Sequence, residues 1–175
     1  MKSRTKTGEN YTKRIATDAI LLALSLIIFV VEAQIPFISS VPGIKLGLSN
    51  VVSLFAVYKL KKSDTLMIMI LRILIAGVYT GQAVSILFSL GGGMCCFLAM
   101  IIAVRFIPLR QAWVTSVFAA IAHNAGQLLV AVFILGNAAV LLYIPVLIAA
   151  AVMTGALTGV VAQGVMLRME KSRIF

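Results

Sequence analysis

Acidic residues are scarce in this chain of 175 residues, which has 5 Asp and Glu against 15 Lys and Arg. Asp18 and Asp64 are the only aspartates, so the sequence offers no aspartate pair that would hold magnesium or share acid–base work. It also lacks the glycine-rich P-loop that binds nucleoside triphosphates. These absences predict a protein that is not an enzyme and has no ATPase of its own.

Metal ligands and thiols are also few. His123 is the only histidine and has no carboxylate cluster near it in the sequence, so we expect no metal site and no bound cofactor. Cys95 and Cys96 are adjacent within an apolar run, where neither a mutual disulfide nor a metal-ligand spacing is available, and we assign them to packing. A serine or cysteine nucleophile with His123 as its base stays open, although nothing nearby indicates an activated nucleophile.

Charged residues of both signs make up only 11% of the chain, whereas 62% of the residues are apolar and the mean hydropathy is +1.11. Because a soluble domain is usually about a quarter charged, this composition predicts a multi-pass protein of the cell membrane. The net charge of +10 could attract nucleic acid. The basic residues cluster between apolar runs, however, which is typical of topology signals. We therefore expect the chain to lie in a lipid bilayer and to bind no nucleic acid.

The apolar runs predict an all-α bundle of six transmembrane helices, since one spanning helix needs roughly 20 apolar residues. We place the helices at about 13–34, 45–59, 64–78, 83–104, 111–135 and 138–169. The chain is then a single membrane domain, 1–175, with a cytoplasmic N-terminal tail at 1–13 and the bundle at 14–170. Both termini are predicted to be cytoplasmic, because 13 of the 15 basic residues then lie inside. The alternative is five helices, with the third and fourth merged.

Polar residues at the start of the second helix favour a ligand site there. Lys45 and Asn50 are not needed to cross a bilayer, and polar groups near hydrocarbon cost free energy unless they are paired. The preceding segment, 35–44, contains two prolines and a glycine, which predicts an ordered outer loop able to close over a ligand. Glu32 and Gln34 beside it either bind that ligand or are solvated at the membrane surface.

Arg72 lies near the middle of the third helix, where an arginine is costly unless it faces a partner or a cavity. We expect no acidic residue at its depth, which leaves room for an anionic ligand, although a structural pairing is the alternative. Tyr79 follows two turns later. His123 and Gln127 share a face of the fifth helix, as a ligand contact or an interhelical one, and Asn124 points about 100° away from them.

Small residues at intervals of three or four predict close helix contacts. In the first helix they are Ala16, Ala19 and Ala23. In the sixth they are Ala151, Gly155 and Gly159, and in the fourth three adjacent glycines at 91–93 favour close contact as well.

Three segments resemble the family called Gx transporter proteins or heptaprenyl diphosphate synthase component I. They are PGIKLGLSNVVSLFAVY, LRILIAGVYTGQAVSILFSLGGG and AHNAGQ, and the resemblance spans about 19–164. The family is in turn similar in size and topology to the substrate-binding S-components of energy-coupling factor (ECF) vitamin transporters. Those have six helices, termini inside, a pocket toward the outer face, and an alanine-rich first helix that docks on a shared coupling subunit. Ala16, Ala19 and Ala23 match that pattern in spacing.

This resemblance implies a substrate-binding subunit of an ATP-dependent uptake system. Its partners would be an ECF transmembrane coupling subunit with its ATPases, and its substrate a small, partly apolar anion such as a vitamin, a flavin-like compound, or a quinone or isoprenoid precursor. The residues expected to bind the substrate are Lys45, Asn50, Arg72, Tyr79, His123 and Gln127. The family name raises an alternative, a non-catalytic membrane partner of a prenyl diphosphate synthase. A further alternative is an assembly factor for a membrane flavin or quinone electron-transfer system.

Overall fold

The computed structural model describes residues 2–34, 48–81, 83–136 and 138–172, with side chains at all of these except 2–10, 33, 83, 135, 138 and 139. Within these ranges the protein is entirely helical and contains no strand. Six α-helices follow one another: α1 Lys2–Gln34, α2 Asn50–Lys59, α3 Lys62–Thr80, α4 Ala83–Ala103, α5 Ala112–Leu135 and α6 Ile144–Lys171. Two short 3₁₀ turns precede the last two helices, at Leu109–Gln111 and Ala138–Tyr143.

Five helical segments of the described chain are long and apolar enough to cross a bilayer, which makes this a membrane protein. They are Tyr11–Glu32, Lys62–Thr80, Val84–Ala103, Leu109–Ile134 and Val140–Lys171. The second helix, α2, has 10 residues, so it is about 15 Å long, half the thickness of the hydrocarbon core. The predicted outer loop and the predicted start of helix 2 at Lys45 fall in 35–47, outside the described residues. Six spans and cytoplasmic termini therefore stay predictions.

The helix boundaries differ from the sequence-based ones mainly at the amino terminus. The first helix begins at Lys2 and not near Lys13. Hydropathy indicates where a chain enters the bilayer, whereas backbone helicity needs only residues that tolerate it, and the stretch 2–12 has no proline and one glycine. Between α3 and α4 the predicted break is confirmed, because Gly81 has the left-handed φ of 66° that ends a helix. The third and fourth helices are therefore separate.

Helix α5 packs closely along two neighbours, α4 and α6. A Cβ added to Gly126 would lie 2.5 Å from the carbonyl oxygen of Gly91. On the other side, a Cβ at Gly155 would lie 2.8 Å from Cα of Val117, and one at Gly159 would lie 2.6 Å from Cα of Trp113. The predicted close contacts of the α4 and α6 glycines are thus confirmed, since no larger residue fits these backbone distances.

Helix α1 is attached differently, because it packs mainly on α3 and less on α2. Its buried side includes Asp18, 5% exposed, and Ser25, 1% exposed. Ala16, Ala19 and Ala23 lie on the exposed side. These alanines point roughly opposite to Asp18 and Ser25 by the 100° rotation per residue of an α-helix. The two faces of α1 therefore have different surroundings.

Candidate functional site

A polar cavity lies where α1, α3, α4 and α5 meet the start of α2. Its volume is about 60 Å³, and nine of its thirteen lining residues have polar side chains. Each of the five helices contributes polar side chains to it: Glu32 from α1, Asn50 from α2, Arg72 from α3, Ser89 from α4, and His123 and Gln127 from α5. The fold thus brings together four of the six residues expected to bind a ligand: Asn50, Arg72, His123 and Gln127. Their role in binding stays a prediction.

Arg72 is the main charged group of this cavity. Its side chain is 7% exposed, and its Nη1 atom has no hydrogen-bond partner among the described residues. An arginine at the centre of a spanning helix costs about 2.5 to 3.5 kcal/mol on insertion scales, even before a lost hydrogen bond is counted. A buried guanidinium that lines a cavity and has an unpaired donor is suited to bind an anionic group.

Glu32 corrects one expectation from the sequence. It lines the same cavity as Arg72 and attracts it electrostatically, so an acidic residue does lie near this arginine. The two residues belong to different helices that meet at the cavity, and their positions along those helices do not reveal this meeting. The site therefore combines a cation with an anion.

His123 and Gln127 reach the cavity from α5 because α4 comes unusually close. A Cβ at Gly92 would lie 2.7 Å from Cγ of Gln127 and 2.9 Å from the carbonyl oxygen of His123. The missing side chain of Gly92 therefore leaves the space that the Gln127 side chain and the His123 backbone occupy. Asn124 points away, as expected from helix geometry, and its Nδ2 donates to the carbonyl oxygen of Leu147 at 2.9 Å.

Two expected ligand residues are not found in the cavity. Lys45 lies outside the described residues. Tyr79 is 69% exposed and does not line the cavity, whereas Thr80 does. The residues of α3 that line the cavity are those at positions 72, 73, 76, 77 and 80, which share one face of the helix. The centre of this face is about 90° away from Tyr79 around the helix axis.

Sequence reasoning missed the serines of the cavity. Ser85 and Ser89 lie one turn apart on α4 and line it together, and Ser49 lines it just before α2. The four-residue spacing of the two serines on α4 indicates a shared polar face. It is weak evidence for a site, because serine is tolerated in membrane helices where it bonds to its own backbone.

The two cysteines lie in α4, where Cys96 is 3% exposed and packs in the apolar core. Both thiols are free. Across the described chain, no three His, Cys, Asp or Glu side chains come together as metal ligands.

Comparison with known proteins adds one finding to this geometry. The family model described as heptaprenyl diphosphate synthase component I matches residues 21–165, which is 145 of the 175 residues. No curated protein and no solved structure matched the chain. The matched region contains all of α2 to α5, most of α6, and every cavity residue named above. The chain belongs to the heptaprenyl diphosphate synthase component I family.

Proposed function

We propose that this protein is the substrate-binding subunit of an ECF-type uptake system and holds a small, partly apolar anionic compound in the cavity around Arg72. The observation that carries this proposal is the buried guanidinium of Arg72, a lining residue of the polar cavity whose Nη1 has no hydrogen-bond partner among the described residues. A purely structural arginine would be expected to have all its buried donors bonded. An anionic group of the ligand supplies the missing acceptor.

The other lining residues suit the rest of such a compound. Asn50, His123 and Gln127 offer both donors and acceptors, and Phe29 and Ile73 add apolar surface. A cavity of about 60 Å³ is much smaller than the roughly 300 to 1,000 Å³ typical of drug-sized ligands. It therefore accommodates the anionic group, while the apolar part of the compound extends beyond these residues.

Transport needs an energy source, and the chain has no P-loop. In this proposal a transmembrane coupling subunit with two ATPases supplies it, docked on the face of α1 that carries Ala16, Ala19 and Ala23. Those alanines are exposed in the isolated chain. Small residues allow a second helix to approach closely in lipid, where close packing drives association.

The test is the affinity for the compound that co-purifies with the full-length protein, once mass spectrometry has identified it. Arg72→Gln should weaken binding at least tenfold, which is about 1.4 kcal/mol and the scale of one charge-assisted contact. Arg105→Gln is the matched control, because Arg105 is exposed in the loop after α4 and does not line the cavity. Unchanged affinity in R72Q would contradict the proposal.

A second candidate function follows from the family description. As component I of a heptaprenyl diphosphate synthase, the protein would be the membrane partner of a separate prenyltransferase subunit. It would be non-catalytic, because it has no aspartate-rich motif for diphosphate-bound magnesium. Co-purification separates the two functions: capture of a prenyltransferase without any ATPase module favours this candidate over transport.

A further inference from the structure

A second polar cluster lies at the contact between α1 and α3, away from the cavity. Nε of Arg14 donates to Oδ2 of Asp64 at 2.7 Å, and Nη2 of Arg14 donates to Oδ1 of the same carboxylate. The hydroxyl of Ser63 donates to Oδ1 as well, at 3.1 Å. The negative charge of the buried Asp64 carboxylate, 4% exposed, is therefore balanced by Arg14 through a bidentate ion pair.

Asp18 lies one turn after Arg14 on α1 and is buried in the same contact. Its side chain is 5% exposed, and Oδ1 has no hydrogen-bond partner among the described residues. Arg14 and Asp64 already neutralise each other. An ionised Asp18 would be a second carboxylate in a buried site that holds one cation of the described chain, Arg14. Burial and repulsion by Asp64 disfavour that charge, and Arg14, already paired with Asp64, attracts it only in part. A proton on Asp18 removes that charge.

A metal ion does not fit this cluster. Within the described chain, no group of three potential metal ligands occurs here or elsewhere. The guanidinium of Arg14 covers both oxygens of Asp64, so a metal cation bound to Asp18 would face a positive charge at short range. The proton is the cation that the cluster accommodates.

We propose that Asp18 is a proton-binding site, neutral when α1 is packed on α3, and that loss of its proton weakens this helix contact. The charged groups around it are Arg14 on its own helix and Asp64 on α3, with Tyr11 acting on Arg14 and Lys61 on Asp64.

The other helix packed on α1 is α2, and its two titratable side chains interact elsewhere. Tyr58 bonds to the carbonyl oxygen of Ile107 and to the hydroxyl of Thr115, and Lys59 pairs with Glu170 at 3.5 Å. Neither titratable side chain of α2 is therefore available to offset a negative charge on Asp18.

The direct test is infrared spectroscopy of the full-length protein in lipid nanodiscs, which detects the carbonyl stretch of a protonated carboxylic acid. At pH 7 the wild type should show this band, and Asp18→Asn should lose it. Glu32→Gln is the control, because Glu32 is the other acid facing the helical interior from α1 and its removal should leave the band. Absence of the band in the wild type, or its loss in E32Q instead of D18N, overturns the proposal.

The second readout is the pH dependence of thermal stability. Since the packed state holds the proton beyond the pH at which an ordinary aspartate loses it, about pH 4, wild-type stability should fall from that pH upward until Asp18 ionises in the packed state, with Tm lower by at least ~3 °C at pH 9 than at pH 4.5. Asp18→Asn mimics the neutral acid and should remove this dependence, whereas Ser25→Ala on the same face should retain it. A pH dependence that persists in D18N contradicts the proposal. If D18N is not produced as folded protein, each of the other acidic residues is replaced in turn. A band that persists in every one of these variants belongs to Asp18, whereas its loss in any of them contradicts the proposal.

Discussion

At the scale of single residues, two buried charges of this protein have opposite environments. Asp64 receives hydrogen bonds from Arg14 and Ser63, whereas Arg72 leaves Nη1 without a partner in the described chain. Buried charges in native proteins are normally paired, because an unpaired one costs several kcal/mol. The first charge therefore has a structural explanation within the protein, and the second is the basis of the proposed anion site.

A charge exchange tests the structural role of the Arg14–Asp64 pair. Arg14→Asp alone and Asp64→Arg alone should each lower Tm, because each places like charges together at the α1–α3 contact. The double variant restores one cation and one anion and should recover most of the loss. Thermal unfolding of all four proteins measures the coupling between the sites. Additive losses in the double variant would show that the pair does not hold α1 to α3.

Residue identity and spacing predicted part of the site. Arg72, His123 and Gln127 were identified as polar residues within apolar helices, and the fold brings them to one cavity. The closeness of Glu32 to Arg72 was not predicted, because it depends on how α1 lies against α3 and not on the sequence of either helix. The Arg14–Asp64 pair was missed because it joins residues 50 positions apart. Pairings of this kind follow from helix packing, which no local pattern specifies.

At the scale of helices, glycine controls how closely α4 and α6 approach α5. The sequence predicted these contacts, because glycines within spanning helices permit close approach. It also predicted the breaks after the third and fifth helices, where Gly81 and Gly136 both have a left-handed φ. It did not predict that α1 begins at Lys2. Hydropathy carries no information about a helix that extends beyond the apolar run.

Gly92→Ala should weaken both packing and ligand binding. Its methyl group would lie 2.7 Å from Cγ of Gln127 and 2.9 Å from the backbone oxygen of His123, so the residues of the cavity must move. Overpacking of this kind costs about 1 to 3 kcal/mol, or roughly 2 to 4 °C in Tm for each kcal/mol in a protein of this size. Thermal unfolding and a ligand titration measure the two effects.

Gly164→Ala is the matched control for that variant. A Cβ at Gly164 has nothing within 4 Å, and alanine favours a helix over glycine by about 1 kcal/mol. G164A should therefore unfold at the same temperature as the wild type or higher, with unchanged affinity. Equal behaviour of G92A and G164A would show that the close approach at Gly92 does not position the cavity.

At the scale of the whole molecule, α1 separates two surfaces. Its inner face carries Asp18, Ser25 and Glu32 at seven-residue intervals, from the ion-pair cluster to the cavity. The alanine face on the other side has no partner within the described chain. In the proposed transport function, a subunit docked on the alanines would contact the helix that also packs on α3 and lines the cavity, without touching the ligand. Helix α1 is therefore the element through which the proposed docking and binding would be coupled.

The docking face is tested by tryptophan at Ala19 and Ala23 together. Two large side chains prevent close helix approach in lipid, so the double variant should lose co-purification with an ECF coupling module while it retains fold and ligand affinity. Leu157→Trp with Val161→Trp is the matched control, because these residues of α6 are also four apart and are 58% and 53% exposed. The control pair should still capture the module. If the α6 pair abolishes capture and the α1 pair does not, the docking surface lies on α6. If the wild type captures a prenyltransferase and never an ATPase module, the synthase partner is the correct function, and the alanines simply face lipid.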